Sequence, residues 1–153
     1  MEKGISKDNI LALCLSKIED KIHRLQEEIS GLQKAKEEET KSSAGDKYET
    51  GMAMIQLEEA KLNRQLEQAR KENQVLLQIQ DPGPAGLPKS LGRLYHTSSG
   101  VFFTAIGLGA ISIDGTSVFV LSPGSPMGQL LAQQSEGSSF QFNGKSFQVN
   151  ICE

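Results

Sequence analysis

Two stretches of the chain carry apolar residues at alternating spacings of four and three, which predicts two long helices that each need a partner helix. The first runs from about Lys7 to Lys41, with Glu and Lys at most of the other positions. Its apolar seam consists of Leu11, Leu15, Ile18, Ile22, Leu25, Ile29 and Leu32.

The second stretch runs from about Glu49 to Ile79 and interrupts its seam with Glu59 and Asn73. Its apolar seam residues are Met52, Ile55, Leu62, Leu66, Ala69 and Leu76. Polar residues at seam positions usually fix the register of the helices. Because the break between the stretches is short, we expect an antiparallel coiled-coil hairpin with arms of roughly 45 Å. Parallel dimerisation through the same heptads is a second geometry that the pattern allows.

The chain changes character near residue 82. Residues 1–81 hold 13 of the 16 Lys and Arg and 16 of the 19 Asp and Glu, whereas residues 82–153 hold seven of the eight aromatic residues. The Pro- and Gly-rich residues 82–90 predict a linker between a hairpin at 1–81 and a domain at 91–153.

The overall composition limits the function classes. With a net charge of −3, the chain does not have the basic charge that is typical of a free DNA-binding protein. No apolar run approaches the length of a membrane span, so we expect a cytoplasmic protein without a membrane partner. Cys14 and Cys152 lie near opposite ends of the chain and are expected to be free, buried thiols.

The second part predicts a small, mostly antiparallel α+β domain of about six strands and one short helix. Asp114-Gly115 and Asn143-Gly144 are strong hairpin-turn signals. A helix is expected over Pro126–Gln134, with Ser125 as its N-cap. The expected aromatic core is Phe102, Phe119, Phe140 or Phe142, and Phe147.

The break at residues 42–51 carries two carboxylates, Asp46 and Glu49, three residues apart. They could be an N-cap and its capping-box partner at the start of the second helix. Two carboxylates alone would also make a weak, open Mg²⁺ site, because Mg²⁺ usually needs further carboxylates or phosphates. Such a tip would act only when inserted into the site of another protein.

Two sequence stretches together resemble the bacterial Gre transcript-cleavage factors. The tip, Gly45-Asp46-Lys47-Tyr48-Glu49-Thr50, is similar to the Gly-Asp-x-x-Glu-Asn tip of that family. The stretch Ser125-Pro126-Met127-Gly128-Gln129-Leu130-Leu131 is similar to its Asp-Ser-Pro-Leu-Gly-x-x-Leu-Leu motif. The order of coil, tip, linker and domain matches over essentially the whole chain.

The resemblance implies an FKBP-like C-terminal domain and a monomeric, accessory role rather than an enzyme. Gre factors dock at the rim of the RNA polymerase secondary channel and insert the coiled-coil tip. Asp46 and Glu49 would help to hold a Mg²⁺ shared with the polymerase, with no stably bound cofactor, near the 3′ end of the nascent RNA. The implied polymerase-docking residues are Ser122, Pro123, Ser125, Pro126, Met127 and Gly128.

The chain departs from the family at Thr50-Gly51-Met52, where the family continues with Asn, a further Glu and Tyr, and at Gly137-Ser138, where the family has Gly-Asp. These departures bear on cleavage more than on binding. A channel-binding regulator or inhibitor without cleavage activity, of the DksA kind or the anti-cleavage kind, and a plain dimeric coiled-coil adaptor are the alternatives. Prolyl isomerase activity is not expected, because those enzymes have a Trp in the pocket floor and this chain has none.

Overall fold

The computed structural model describes residues 5–42 and 46–153 and has an α+β architecture. Two long helices come first, followed by a six-stranded sheet and one short helix. The helices are α1 (Lys7–Ser42), α2 (Asp46–Gln80) and α3 (Pro126–Ala132). The strands are β1 (Leu94–Thr97), β2 (Gly100–Thr104), β3 (Gly109–Ile113), β4 (Thr116–Leu121), β5 (Ser139–Phe142) and β6 (Lys145–Cys152). No helix in the described ranges is long and apolar enough to span a membrane.

The predicted break at residues 42–51 is too long. Helix α1 continues to Ser42 and α2 begins at Asp46, so Glu49 and Gly51 lie inside α2. Residues 43–45 lie outside the described part of the chain. A single Gly costs a helix only about 1 kcal/mol relative to Ala, which explains why Gly51 does not end α2.

The described chain divides into two compact units. One consists of the residues up to Leu15 together with Gln74–Glu153, and the other is Ser16–Asn73. The start of α1 and the end of α2 therefore belong to the same unit as the sheet. Leu11 and Ile79, from those helix ends, line a cavity of about 250 Å³ with Phe103 of β2.

Within the Ser16–Asn73 unit, the predicted seams meet. Leu25 of α1 forms an apolar cluster with Leu62, Leu66 and Ala69 of α2. Further along, Lys36 Nζ lies 3.0 Å from a carboxylate oxygen of Glu59, the residue that interrupts the apolar seam. Residues later in α1 thus contact residues earlier in α2, and Glu59 has a cationic partner where the seam becomes polar.

The sheet has the strand order β3-β4-β2-β1-β6-β5. Strands β2 and β4 pair in parallel, and the other described pairs are antiparallel. Both predicted hairpin turns are present. Asp114 and Asn143 have φ values of 50° and 52°, and each is followed by a Gly with positive φ, as a two-residue hairpin turn requires.

Apolar side chains are buried on both faces of the sheet. Leu94, Phe103, Val118 and Val120 are completely buried on one face. On the other face, Met127 and Leu131 of α3 form an apolar cluster with four residues of the sheet. These are Tyr95, Leu121, Phe147 and Val149.

The predicted aromatic core is partly wrong. Phe147 is buried, but Phe119 is 47% exposed, whereas the neighbouring-strand residue Phe103 is completely buried and was not predicted. The reason is the position of α3, which covers Leu121 and leaves Phe119, two residues earlier on the same face, beyond its edge. Of the two cysteines, Cys14 is buried as predicted and Cys152 is partly exposed.

These two phenylalanines give a matched test of the core. We expect Phe103→Ala to lower the free energy of unfolding by about 3–5 kcal/mol, since it leaves a cavity at a fully buried site. Phe119→Ala should cost about 1 kcal/mol, mainly through its ring contact with Phe102. Urea unfolding followed by circular dichroism measures both. Equal losses would contradict the assignment of the core.

Candidate functional site

Asp46 and Glu49 lie in the first turn of α2. The side chain of Asp46 is outside the described part of the structure. The Glu49 side chain is exposed, and no described residue forms a hydrogen bond or an ion pair with it. In the sequence, the two acids of the predicted pair are three residues apart.

A polar groove lies beside Glu49, between α1 and α2. It has a volume of about 630 Å³. Its lining residues are Gln33, Lys36, Glu37, Thr40, Tyr48, Met52 and Gln56. Tyr48, the one aromatic residue before residue 82, is half-buried there. The Tyr48 side chain thus lines the groove, whereas the Glu49 side chain is exposed to solvent.

The described residues contain no group of three or more His, Cys, Asp or Glu side chains placed to hold a metal ion together. Glu49 offers one exposed carboxylate, which suits a hard cation such as Mg²⁺ as one ligand among several.

The predicted docking stretch forms a tightly hydrogen-bonded turn into α3. The Ser125 hydroxyl accepts a hydrogen bond from the Gly128 N–H at 3.1 Å, which caps the helix as predicted. The same hydroxyl donates to the Ser122 carbonyl at 2.7 Å. Pro126 occupies the first helical position, where a missing N–H costs nothing. Each of these residues therefore has a role in the fold.

Exposure separates the docking residues into two groups. Met127 and Gly128 are buried residues of α3 itself. Pro126 is exposed, and Ser122, Pro123 and Ser125 are half-buried. The surface that this stretch offers to a partner is thus the Ser-Pro turn and the start of α3.

Tyr95 lies beneath α3 in the same apolar cluster. Its side chain is completely buried, and its hydroxyl has no hydrogen-bond partner in the described part of the molecule. Burial raises the pKa of Tyr95 above its ordinary value, and the Arg93 guanidinium over its ring partly opposes that rise. The hydroxyl therefore stays protonated at neutral pH.

A second groove lies between α1 and α2 within Ser16–Asn73, and the sequence did not predict it. Its lining residues are Lys21, Lys61, Arg64, Gln65 and Gln68. A signal was present, because Lys21 and Lys61 each directly precede a seam residue, Ile22 and Leu62. What the sequence does not give is the register that brings the two helices' cations together.

No family model, curated protein or solved structure matches this chain. The case for a function therefore depends on the residues and their geometry.

The close approach of α3 to the preceding turn can be tested at Gly128. A Cβ added at Gly128 would collide with the Ser122 carbonyl oxygen and would lie 2.9 Å from the Pro123 carbonyl oxygen. We expect Gly128→Ala to lower the free energy of unfolding by about 2 kcal/mol, because backbone atoms must move to admit the methyl group.

The matched control is Gly124→Ala, since nothing lies within 4 Å of a Cβ at Gly124. Chemical denaturation of both variants measures the difference. Wild-type stability of the Gly128 variant would show that α3 does not approach the Ser122-Pro123 turn as closely as described.

Proposed function

We propose that this protein is a Gre-like factor that binds in the secondary channel of bacterial RNA polymerase and acts on backtracked RNA through Asp46 and Glu49. The observation that carries the proposal is the Glu49 carboxylate, which is exposed and unpartnered among the described residues in the first turn of a 35-residue helix.

The proposal requires α1 and α2 to form an antiparallel coiled-coil hairpin. Supporting contacts are the cluster of Leu25 with Leu62 and Leu66, and the pair of Lys36 with Glu59. Both pair a residue later in α1 with one earlier in α2. In such a hairpin the start of α2 lies at the chain reversal, where a carboxylate can be presented to another protein.

In the proposed mechanism, the two acids complete an active site that the polymerase supplies. Asp46 would be the metal-contacting carboxylate, and Glu49 would order the metal's surroundings or the attacking water. The Mg²⁺ that they would help to hold, shared with the polymerase, would supply charge stabilisation for phosphodiester hydrolysis. The chain itself would position the acids and would need no stably bound cofactor. It would act as a cytoplasmic monomer, and it would not be an enzyme in the absence of the polymerase.

The C-terminal unit would dock at the channel rim as an FKBP-like domain. The exposed ring of Pro126 and the half-buried Ser122, Pro123 and Ser125 are the docking residues that a partner could reach. Met127 and Gly128 would support that surface from beneath, because they are buried. The hydrogen bonds of Ser125 would hold the turn in one conformation.

A second candidate is a channel-binding regulator or inhibitor without cleavage activity. Two substitutions relative to the Gre pattern favour it: Thr50-Gly51 after the tip acids, and Ser138 in place of an acid. The Ser138 hydroxyl accepts a hydrogen bond from the Ser135 N–H at 3.1 Å, so it closes a turn locally. A dimeric coiled-coil adaptor, in which the acids have no catalytic role, is the remaining alternative.

The proposal predicts Mg²⁺-dependent shortening of labelled RNA in a stalled, backtracked polymerase complex. The variant Asp46→Ala/Glu49→Ala should reduce the rate of shortening roughly 100-fold, the scale expected when a group that stabilises the transition state is removed. Binding to the polymerase should be retained, because the docking residues are unchanged.

The control is Glu58→Ala, which removes another exposed carboxylate of α2. It should shorten RNA at the wild-type rate. Binding without shortening by the wild-type protein would establish the regulator instead. Absence of polymerase binding, with a dimer in analytical ultracentrifugation, would overturn both channel-binding functions in favour of the adaptor.

A further inference from the structure

One flank of the helix pair carries a groove lined entirely by basic and amide side chains. Its volume is about 450 Å³. Lys21 comes from α1, while Lys61 and Arg64 come from α2 together with Gln65 and Gln68. The α2 residues 61, 64, 65 and 68 follow a helical spacing, so they share one face of that helix.

The charges in this groove are not balanced. Cations beside a coiled-coil seam are commonly matched by acids on the facing helix, and Lys36 with Glu59 is such a pair in this same unit. Here Lys21 instead lines the same groove as Lys61 and Arg64, and no carboxylate contributes to the lining. None of the three cations has a hydrogen bond or an ion pair with any described residue.

Like charges gathered on one groove repel each other, and the fold gains nothing from that arrangement by itself. The whole chain, with these three cations included, has a net charge of −3, so the groove is a local feature and not part of a general basic surface. A bound anion would supply the missing negative charge.

We propose that this groove binds a short chain of linked phosphates, such as inorganic tripolyphosphate or the phosphate tail of a nucleotide. Lysine and arginine are the usual phosphate ligands, and the Gln65 and Gln68 amides add neutral donors. Its volume is in the range of small-molecule sites. The lining includes no aromatic side chain on which a nucleobase could stack, which favours phosphate over base recognition.

Phosphate binding at this groove would not require polymerase binding. It concerns residues 21 and 61–68, whereas the proposed cleavage function concerns residues 46 and 49. The first can fail while the second holds, and the reverse is equally true.

Titration of the full-length protein with tripolyphosphate, followed by isothermal calorimetry, tests the site. We expect saturable binding with one site per chain. The variant Lys61→Gln/Arg64→Gln should bind at least about fivefold more weakly, because two cationic contacts are lost. Lys71→Gln is the matched control, since Lys71 lies on the same helix but pairs with Glu67, and it should bind like the wild type.

A thermal measurement separates loss of the site from loss of the fold. Tripolyphosphate should raise the Tm of the wild type and of the Lys71 variant, and much less that of the double variant. Without ligand, the double variant should be at least as stable as the wild type, because removing two cations relieves their repulsion.

Titrations with ATP and adenosine distinguish recognition of inorganic polyphosphate from recognition of a nucleotide. Equal affinity for ATP and tripolyphosphate, with none for adenosine, assigns recognition to the phosphates alone. Unchanged tripolyphosphate affinity in the double variant, or no saturable binding by the wild type, would overturn the proposal. Tighter binding of a single-stranded RNA that depends on the two cations, with none of tripolyphosphate, would overturn it in favour of a nucleic-acid surface.

Discussion

The apolar contacts between α1 and α2 determine where the charged side chains of the helical unit lie. The apolar cluster of Leu25 with Leu62, Leu66 and Ala69 fixes the register of one helix against the other. The ion pair between Lys36 and Glu59 continues that register where the seam becomes polar. Neighbours of seam residues are carried along with them, so a change of register would separate Lys21 from Lys61. The unbalanced basic groove and the proposed presentation of Glu49 thus depend on the same set of contacts.

The sheet unit shows a similar dependence of surface on core. Because α3 covers one end of a face, Leu121 is buried while Phe119 is 47% exposed. The turn before α3 is held by the Ser125 hydroxyl and by the absence of a side chain at Gly128. The Ser-Pro-Met-Gly motif therefore has a sufficient explanation in the fold, and any role in docking would be added to that one.

Much of the local structure could be predicted from the sequence, because the signals were local. The four-and-three spacing gave both long helices, and Asp114-Gly115 gave a hairpin turn that φ values above zero confirm. The burial of Phe103 was missed, since it depends on which sheet face α3 and the helix ends cover. The convergence of Lys21 with Lys61 was missed for the same reason, because it depends on contacts between residues distant in sequence.

Site-specific photo-crosslinking tests the central claim most directly. A benzophenone amino acid in place of Thr50, which is exposed and one residue beyond Glu49, would be irradiated with the protein bound to a backtracked RNA polymerase. The account predicts a crosslink to polymerase segments around the catalytic Mg²⁺, and none from the same group at exposed Gln141 of β5. A crosslink only to a second copy of this chain would contradict the account and indicate a dimeric coiled coil.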